Sequence, residues 1–318
     1  MEARLVKTVS QALDTSHLVA TTTVVPALDA SPHGGIVLGR VHGRCVFHDT
    51  HASGGCRIQR ALGEAAIPLS CRQFPRQSVT DPRGTSVTLS HYCPTARRQL
   101  DRPDAPVTIS DRAVAFPRHG EYVGLAASPD VPPLLHSRCL LDWESWWLIE
   151  RRTVTLVSEH PDTALPRLAL MVEALHVWRP GSAPLVDAVH RAFDLAQIAE
   201  VVPWCPSASD VDAHVEDVRS SVPAEWRNDV DRALMAGTGD LPSRVVGRFL
   251  AAHTFANWAA YNGRGLRTWY RSIEAAGCLL WVTRDPGMVD LALRHLADSS
   301  ALITRWNRAE RRPVIRRP

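Results

Sequence analysis

Four cysteines in one arginine-rich stretch, Cys45, Cys56, Cys71 and Cys93, are the side chains best suited to chemistry in this sequence. Ten, fourteen and twenty-one residues separate them in turn. A structural cysteine behaves as a small hydrophobe and sits among aliphatic neighbours. Here Arg44-Cys45, Cys56-Arg57 and Cys71-Arg72 each put a fixed cation beside a thiol, which favours the thiolate that ligates metal or attacks an electrophile. The spacing lacks the C-x₂-C pairs of a zinc ribbon, and zinc and iron–sulfur stay equally open because both accept four sulfurs. His33, His42, His48, His51 and His91 crowd the same region, so a mixed Cys/His set is chemically allowed. Taken singly, each of these histidines reads as a surface residue.

The strings Cys45-Val-Phe, Gly55-Cys56-Arg-Ile, Pro68-Leu-Ser-Cys71-Arg-Gln-Phe-Pro75 and His91-Tyr-Cys93-Pro94 carry a family resemblance. Together they resemble the signature of the YkgJ-type cysteine-cluster family, a zinc- or iron-chelating domain, over residues 45–94. Joined to a helical C-terminal region, the segment is similar to the flagellin lysine N-methylase branch of that family. The resemblance implies metal ligation by Cys45, Cys56, Cys71 and Cys93, with an iron–sulfur cluster or Zn as cofactor. It further implies S-adenosylmethionine as a methyl donor and a protein or peptide substrate methylated on lysine. Family members usually carry a tighter cysteine group ahead of this segment, whereas here no cysteine precedes Cys45. That leaves a single four-cysteine site. The competing readings are a non-enzymatic protein whose metal braces the fold beside a helical binding domain, and a metal-free remnant of the family.

Composition narrows the class. At 318 residues, with 45% apolar and 22% charged, the chain can bury a core without staples. A net charge of +3 is too small to argue for nucleic acid, which is not expected as a partner. Lys7 is the only lysine, so the arginines reflect codon usage more simply than phosphate binding. No run of eighteen apolar residues and no signal-peptide centre is present, which predicts a cytoplasmic protein with no membrane span. Reducing conditions and an odd total of seven cysteines then favour ligation over a disulfide framework.

The elements that must position these groups divide the chain in two. The expected class is α+β, a small irregular, strand-containing cysteine-cluster module followed by an all-helical domain. The module spans 1–140, the helical domain 141–304 and a basic tail 305–318. Strands are expected at Val19–Val25, Gly35–Val41, Ser86–Leu89 and Val107–Ile109, with a turn at Asp81-Pro82-Arg83-Gly84 and a helix over Arg57–Glu64. Helices are expected from Asp142, which stands near an N-cap, then over Leu165–Trp178, Leu185–Ile198, Ala224–Met235, Arg244–Tyr261, Gly265–Val282 and Gly287–Ile303. Trp143, Trp146, Trp147, Trp178, Trp258 and Trp269 fall on apolar helical faces and read as packing. His253, Asn257 and Tyr261, four apart, form a polar stripe that could line a cleft. Cys278 reads as an inert core thiol, and no glycine-rich dinucleotide loop or nucleophile elbow is present.

Overall fold

A computed structural model describes residues 28–30, 36–38, 40–41, 44–49, 55–102, 107–111, 124–235, 237, 239–309 and 314. It divides into two compact units, Met1–Gln73 and Phe74–Pro318. The class is α+β, with short strands in small sheets and a helical bulk. The strand expected at Val19–Val25 lies outside the described residues, and Val107–Ile109 carries no strand.

In the first unit, β1 (Leu28–Ala30) pairs antiparallel with β2 (Ile36–Leu38), and β3 (Arg40–Val41) with β4 (Arg44–Cys45). A turn follows β4, and the chain returns through an isolated bridge between His48 and Cys56. Helix α1 (Arg57–Leu62) starts there and stops at Gly63, whose φ of 82° is open to glycine at no steric cost. This stop explains why the helix falls short of the expected Glu64. Helix α2 (Leu69–Gln73) carries Cys71. The unit's small core is Phe47 against Ile58, with Cys45, Val46, Cys56, Leu62 and Ala66 packed around them.

The second unit begins with strands that belong with the helices. β5 (Arg76–Asp81) and β6 (Gly84–Leu89) form a hairpin closed by Pro82 and Arg83, the turn that the sequence predicts. β7 (Leu125–Ala126) lies parallel on the other side of β5, and β8 (Leu134–His136) pairs with β9 (Cys139–Leu140). Between them runs helix α3 (Pro94–Leu100). Among the described residues, ten α-helices follow: α4 (Trp143–Glu159), α5 (Ala164–His176), α6 (Leu185–Ile198), α7 (Ala208–Ser220), α8 (Arg227–Ala233), α9 (Ser243–Thr254), α10 (Trp258–Asn262), α11 (Leu266–Thr283), α12 (Pro286–Asp290) and α13 (Ser299–Ala309). Hydrogen bonds tie the hairpin to this bulk, among them one from Thr88 to the Ala252 carbonyl at 3.0 Å and one from Trp258 to the Ser78 carbonyl at 3.2 Å. The contact boundary therefore falls at Gln73/Phe74, well before residue 140.

Helix α11 is buried nearly all round and forms the centre, with α5, α7 and α9 packed against it. Trp146 and Trp269 are fully buried and meet edge to face at 5.6 Å, so these two tryptophans are indeed packing. Among the described residues, no helix is long and apolar enough to cross a membrane.

Three departures from the expected helices have local causes. Apart from Ala208 and Ala213, α7 has apolar residues only at Val211, Val215 and Val218, too sparse a stripe to advertise itself. Its signal is the cap, where the Ser207 hydroxyl accepts from the Asp210 N–H. The stretch Arg244–Tyr261 is two helices, because Ala256 takes φ 52° and Asn257 caps α10 by accepting from the Ala259 N–H. The stretch Gly287–Ile303 breaks into α12, a π turn over Leu291–Leu296, and α13, whose first N–H groups donate to Asp298. α13 continues to Ala309, and its Trp306 is buried, so the start of the basic tail is helical.

The tightest joint between helices is Gly247 on α9, where an added Cβ would stand 2.6 Å from the Val157 carbonyl oxygen on α4. Alanine has a helix propensity advantage of about 1 kcal/mol over glycine. The clash is with backbone, which cannot swing aside, so overpacking wins. Gly247→Ala is expected to lose about 1–3 kcal/mol in a urea titration. A midpoint at or above the parent's would show that α4 and α9 can part freely.

Candidate functional site

The first unit brings two of the four cysteines onto one small scaffold. The His48 N–H donates to the Cys45 carbonyl at 2.9 Å, the Arg57 N–H to the Phe47 carbonyl at 2.8 Å, and His48 bridges Cys56. Cys45 and Cys56 thus flank one turn and share the Phe47–Ile58 core, both half-buried and both free thiols. An ion pair between Arg60 and Asp49 braces the same turn. Cys71 is exposed on α2. Cys93 is half-buried at the N-cap of α3 in the second unit. Among the described residues, no three His, Cys, Asp or Glu side chains are grouped closely enough to hold a metal ion. His48 is exposed; His33, His42 and His51 lie outside the described residues.

His91 is committed elsewhere. Its backbone N–H and its Nδ1, the latter at 3.0 Å, both meet Oδ2 of Asp290, which is completely buried. Oδ1 of the same carboxylate accepts from Nε2 of His253 at 2.7 Å and lies 3.3 Å from Nε of Arg294. Burial alone would raise the Asp290 pKa. The Arg294 charge and the histidine hydrogen bonds outweigh it and hold the carboxyl well below the usual range. Burial, followed by the Arg294 charge, pushes His253 down to about 4. A neutral His253 facing an ionised carboxylate must carry its proton on Nε2, which leaves the Nδ1 lone pair as an acceptor.

His253 and Arg294 line a cavity of about 110 Å³ together with Asn257, Ser272, Leu302 and Trp306. Asn257 is fixed there by donating to the His253 carbonyl and to the Ser272 hydroxyl. The Trp306 indole N–H is buried with no acceptor among the described residues. The space admits a few waters or a small polar fragment. Of the expected polar stripe, His253 and Asn257 reach this cavity and Tyr261 does not.

Tyr261 joins a second buried network. Its hydroxyl donates to Asp81 and accepts from the Trp146 indole, both at 3.1 Å. Arg83, on the hairpin turn, spans two buried carboxylates: Nη2 to Asp81 and Nη1 to Glu150, both at 2.7 Å. The other Glu150 oxygen accepts from the Ala256 N–H at 3.0 Å, which accounts for the left-handed backbone there. Cys278 is buried on α11, and burial pushes its thiol up, as befits a core residue.

The class defined so far is an α+β chain with a small cysteine-bearing unit and a helical unit built over two buried carboxylate networks. Comparison with protein-family models, curated proteins and solved structures finds no match to this chain.

Proposed function

We propose that this chain is a thiolate-ligated metalloprotein, with Cys45, Cys56, Cys71 and Cys93 as ligands to an iron–sulfur cluster or a zinc ion. The observation that supports it is the turn between β4 and α1, which holds two free thiols eleven positions apart on one core. Cys71 adds an exposed thiol in the same unit, and the motif resemblance supplies Cys93 as the fourth ligand. Bound there, an iron–sulfur cluster would supply one-electron chemistry, whereas zinc would brace a unit with little core of its own. The narrower reading is lysine N-methylation of a protein or peptide partner with S-adenosylmethionine as methyl donor. It rests on the resemblance alone and requires labelled methyl transfer to lysine by the metal-loaded chain.

The test is the metal content of the full chain purified without oxygen. A brown protein that bleaches in air indicates a redox cluster, and a colourless one with a tightly held zinc indicates bracing. Cys71→Ser and Cys56→Ser are each expected to lose the metal, while Cys278→Ser, buried on α11, keeps the parent's content. Equal metal in all of these variants, or none in the parent, would reject the reading.

A further inference from the structure

A cleft of about 530 Å³ opens in the second unit between the β8–β9 hairpin, the C-terminal end of α5 and the start of α11. Its chemistry is carried by His136, Arg138, Cys139, His176, Arg179 and Arg267, and among the described residues no carboxylate lines it. Backbone packing fixes the walls. Gly265 takes φ 146°, and an added Cβ there would come within 2.7 Å of the His136 Cα, so the hairpin sits directly on the entry to α11.

The charge is not cancelled locally. Arg267 is buried and paired with Glu173 through two hydrogen bonds, at 2.9 and 2.6 Å, so it serves as a neutral buttress. Arg138 and Arg179 are exposed, and among the described residues neither has a carboxylate partner. Arg179 spends one guanidinium nitrogen, Nη1, on the carbonyls of His176 and Trp178. That anchors the group at the helix end, on the lining of the cleft. The His136 and His176 rings meet edge to face at 5.4 Å on the same wall. Burial pushes the Cys139 thiol up, with the Arg179 charge opposing, so the floor is a neutral thiol and not a competing anion.

We propose that this cleft binds a small molecule through a phosphate group, with Arg138 and Arg179 as the two forks that hold it. The volume lies in the range of small-molecule sites. Two uncompensated guanidinium groups match a phosphate dianion in charge, and each fork can engage two of its oxygens. A single carboxylate would leave one cation unanswered. The site is independent of the metal reading, since none of the proposed cysteine ligands lines it.

The test is calorimetric titration of the full chain with pyrophosphate and inorganic phosphate, with succinate as the carboxylate comparison, at physiological ionic strength. Arg138→Ala and Arg179→Ala are each expected to weaken pyrophosphate binding about tenfold, and the double variant to abolish it. Arg227→Ala, an exposed arginine on α8, is expected to bind as the parent does. Because both forks are exposed, the variants should fold, and a melting curve on each sample checks this. Pyrophosphate should raise the melting temperature of the parent and not that of the double variant. No heat with pyrophosphate, equal affinity in the double variant, or succinate binding as tightly as phosphate would each overturn the assignment.

Discussion

Asp290→Ala is expected to lose about 3–5 kcal/mol of folding stability, read as a shift of the urea midpoint. The side chain is wholly buried and answers the Arg294 cation, both imidazoles and the His91 backbone N–H. Alanine leaves a buried cation with no counter-charge and several donors with no acceptor, and each of those carries its own desolvation cost. Asp290→Asn should cost less. Its amide keeps one acceptor oxygen, and a neutral imidazole can switch tautomer to accept from the new NH₂ group. A loss in Asp290→Ala no larger than in Asp290→Asn would show that the hydrogen bonds kept by the amide count for little and that the lost counter-charge to Arg294 sets the cost.

The same cluster sets a pH window. His253 titrates near 4 in the folded state against an ordinary 6.5, so between these values the unfolded chain binds a proton that the folded chain does not. Stability contributed by the neutral imidazole is therefore complete above about 6.5 and falls as the pH drops towards 4, by about 3 kcal/mol in total. The lowered Asp290 pKa acts in a different range, its contribution being lost only below the ordinary carboxylate value. His253→Gln should flatten the upper window and leave the lower one in place.

What the sequence made legible was local. The Asp142 cap, the Asp81–Gly84 turn and the bounds of α6 follow from short-range stereochemistry, and the structure places them as expected. The joining of β4 to α1 across eleven intervening residues was not legible, although the sequence marks both cysteines as candidate ligands. The two buried networks were invisible for a related reason. Asp81 and Tyr261 stand 180 positions apart, as do Ser78 and Trp258, and nothing in one segment announces its partner in the other. The stripe His253, Asn257 and Tyr261 shows the limit well. A regular helix would put the three on one face. The break at Ala256 exists because its N–H is needed by a glutamate over a hundred residues away, and that break sends Tyr261 elsewhere.

That glutamate yields the second large effect. In Arg83→Met the side-chain volume is nearly kept, but Asp81 and Glu150, both completely buried at the side chain, lose their shared cation. In the parent, burial works against the Arg83 charge. The hydrogen bonds to Asp81 and the field of Glu150 outweigh that, so the guanidinium is firmly protonated. Burial raises the Glu150 pKa, and Arg83 is the main opposing influence. Without it, Glu150 rises further and takes up a proton that the unfolded chain does not bind. Arg83→Met should therefore be destabilised by about 3–5 kcal/mol at alkaline pH, with the deficit shrinking as the pH falls through the raised value. Glu150→Gln in the same background should restore part of the loss, since the amide oxygen can still accept from Ala256 without carrying charge. The interaction free energy from the double-mutant cycle is expected to exceed about 1 kcal/mol. A cycle that closes additively, or an Arg83→Met deficit that does not change with pH, would mean that the hairpin turn and α4 are held together by packing and not by this ion cluster.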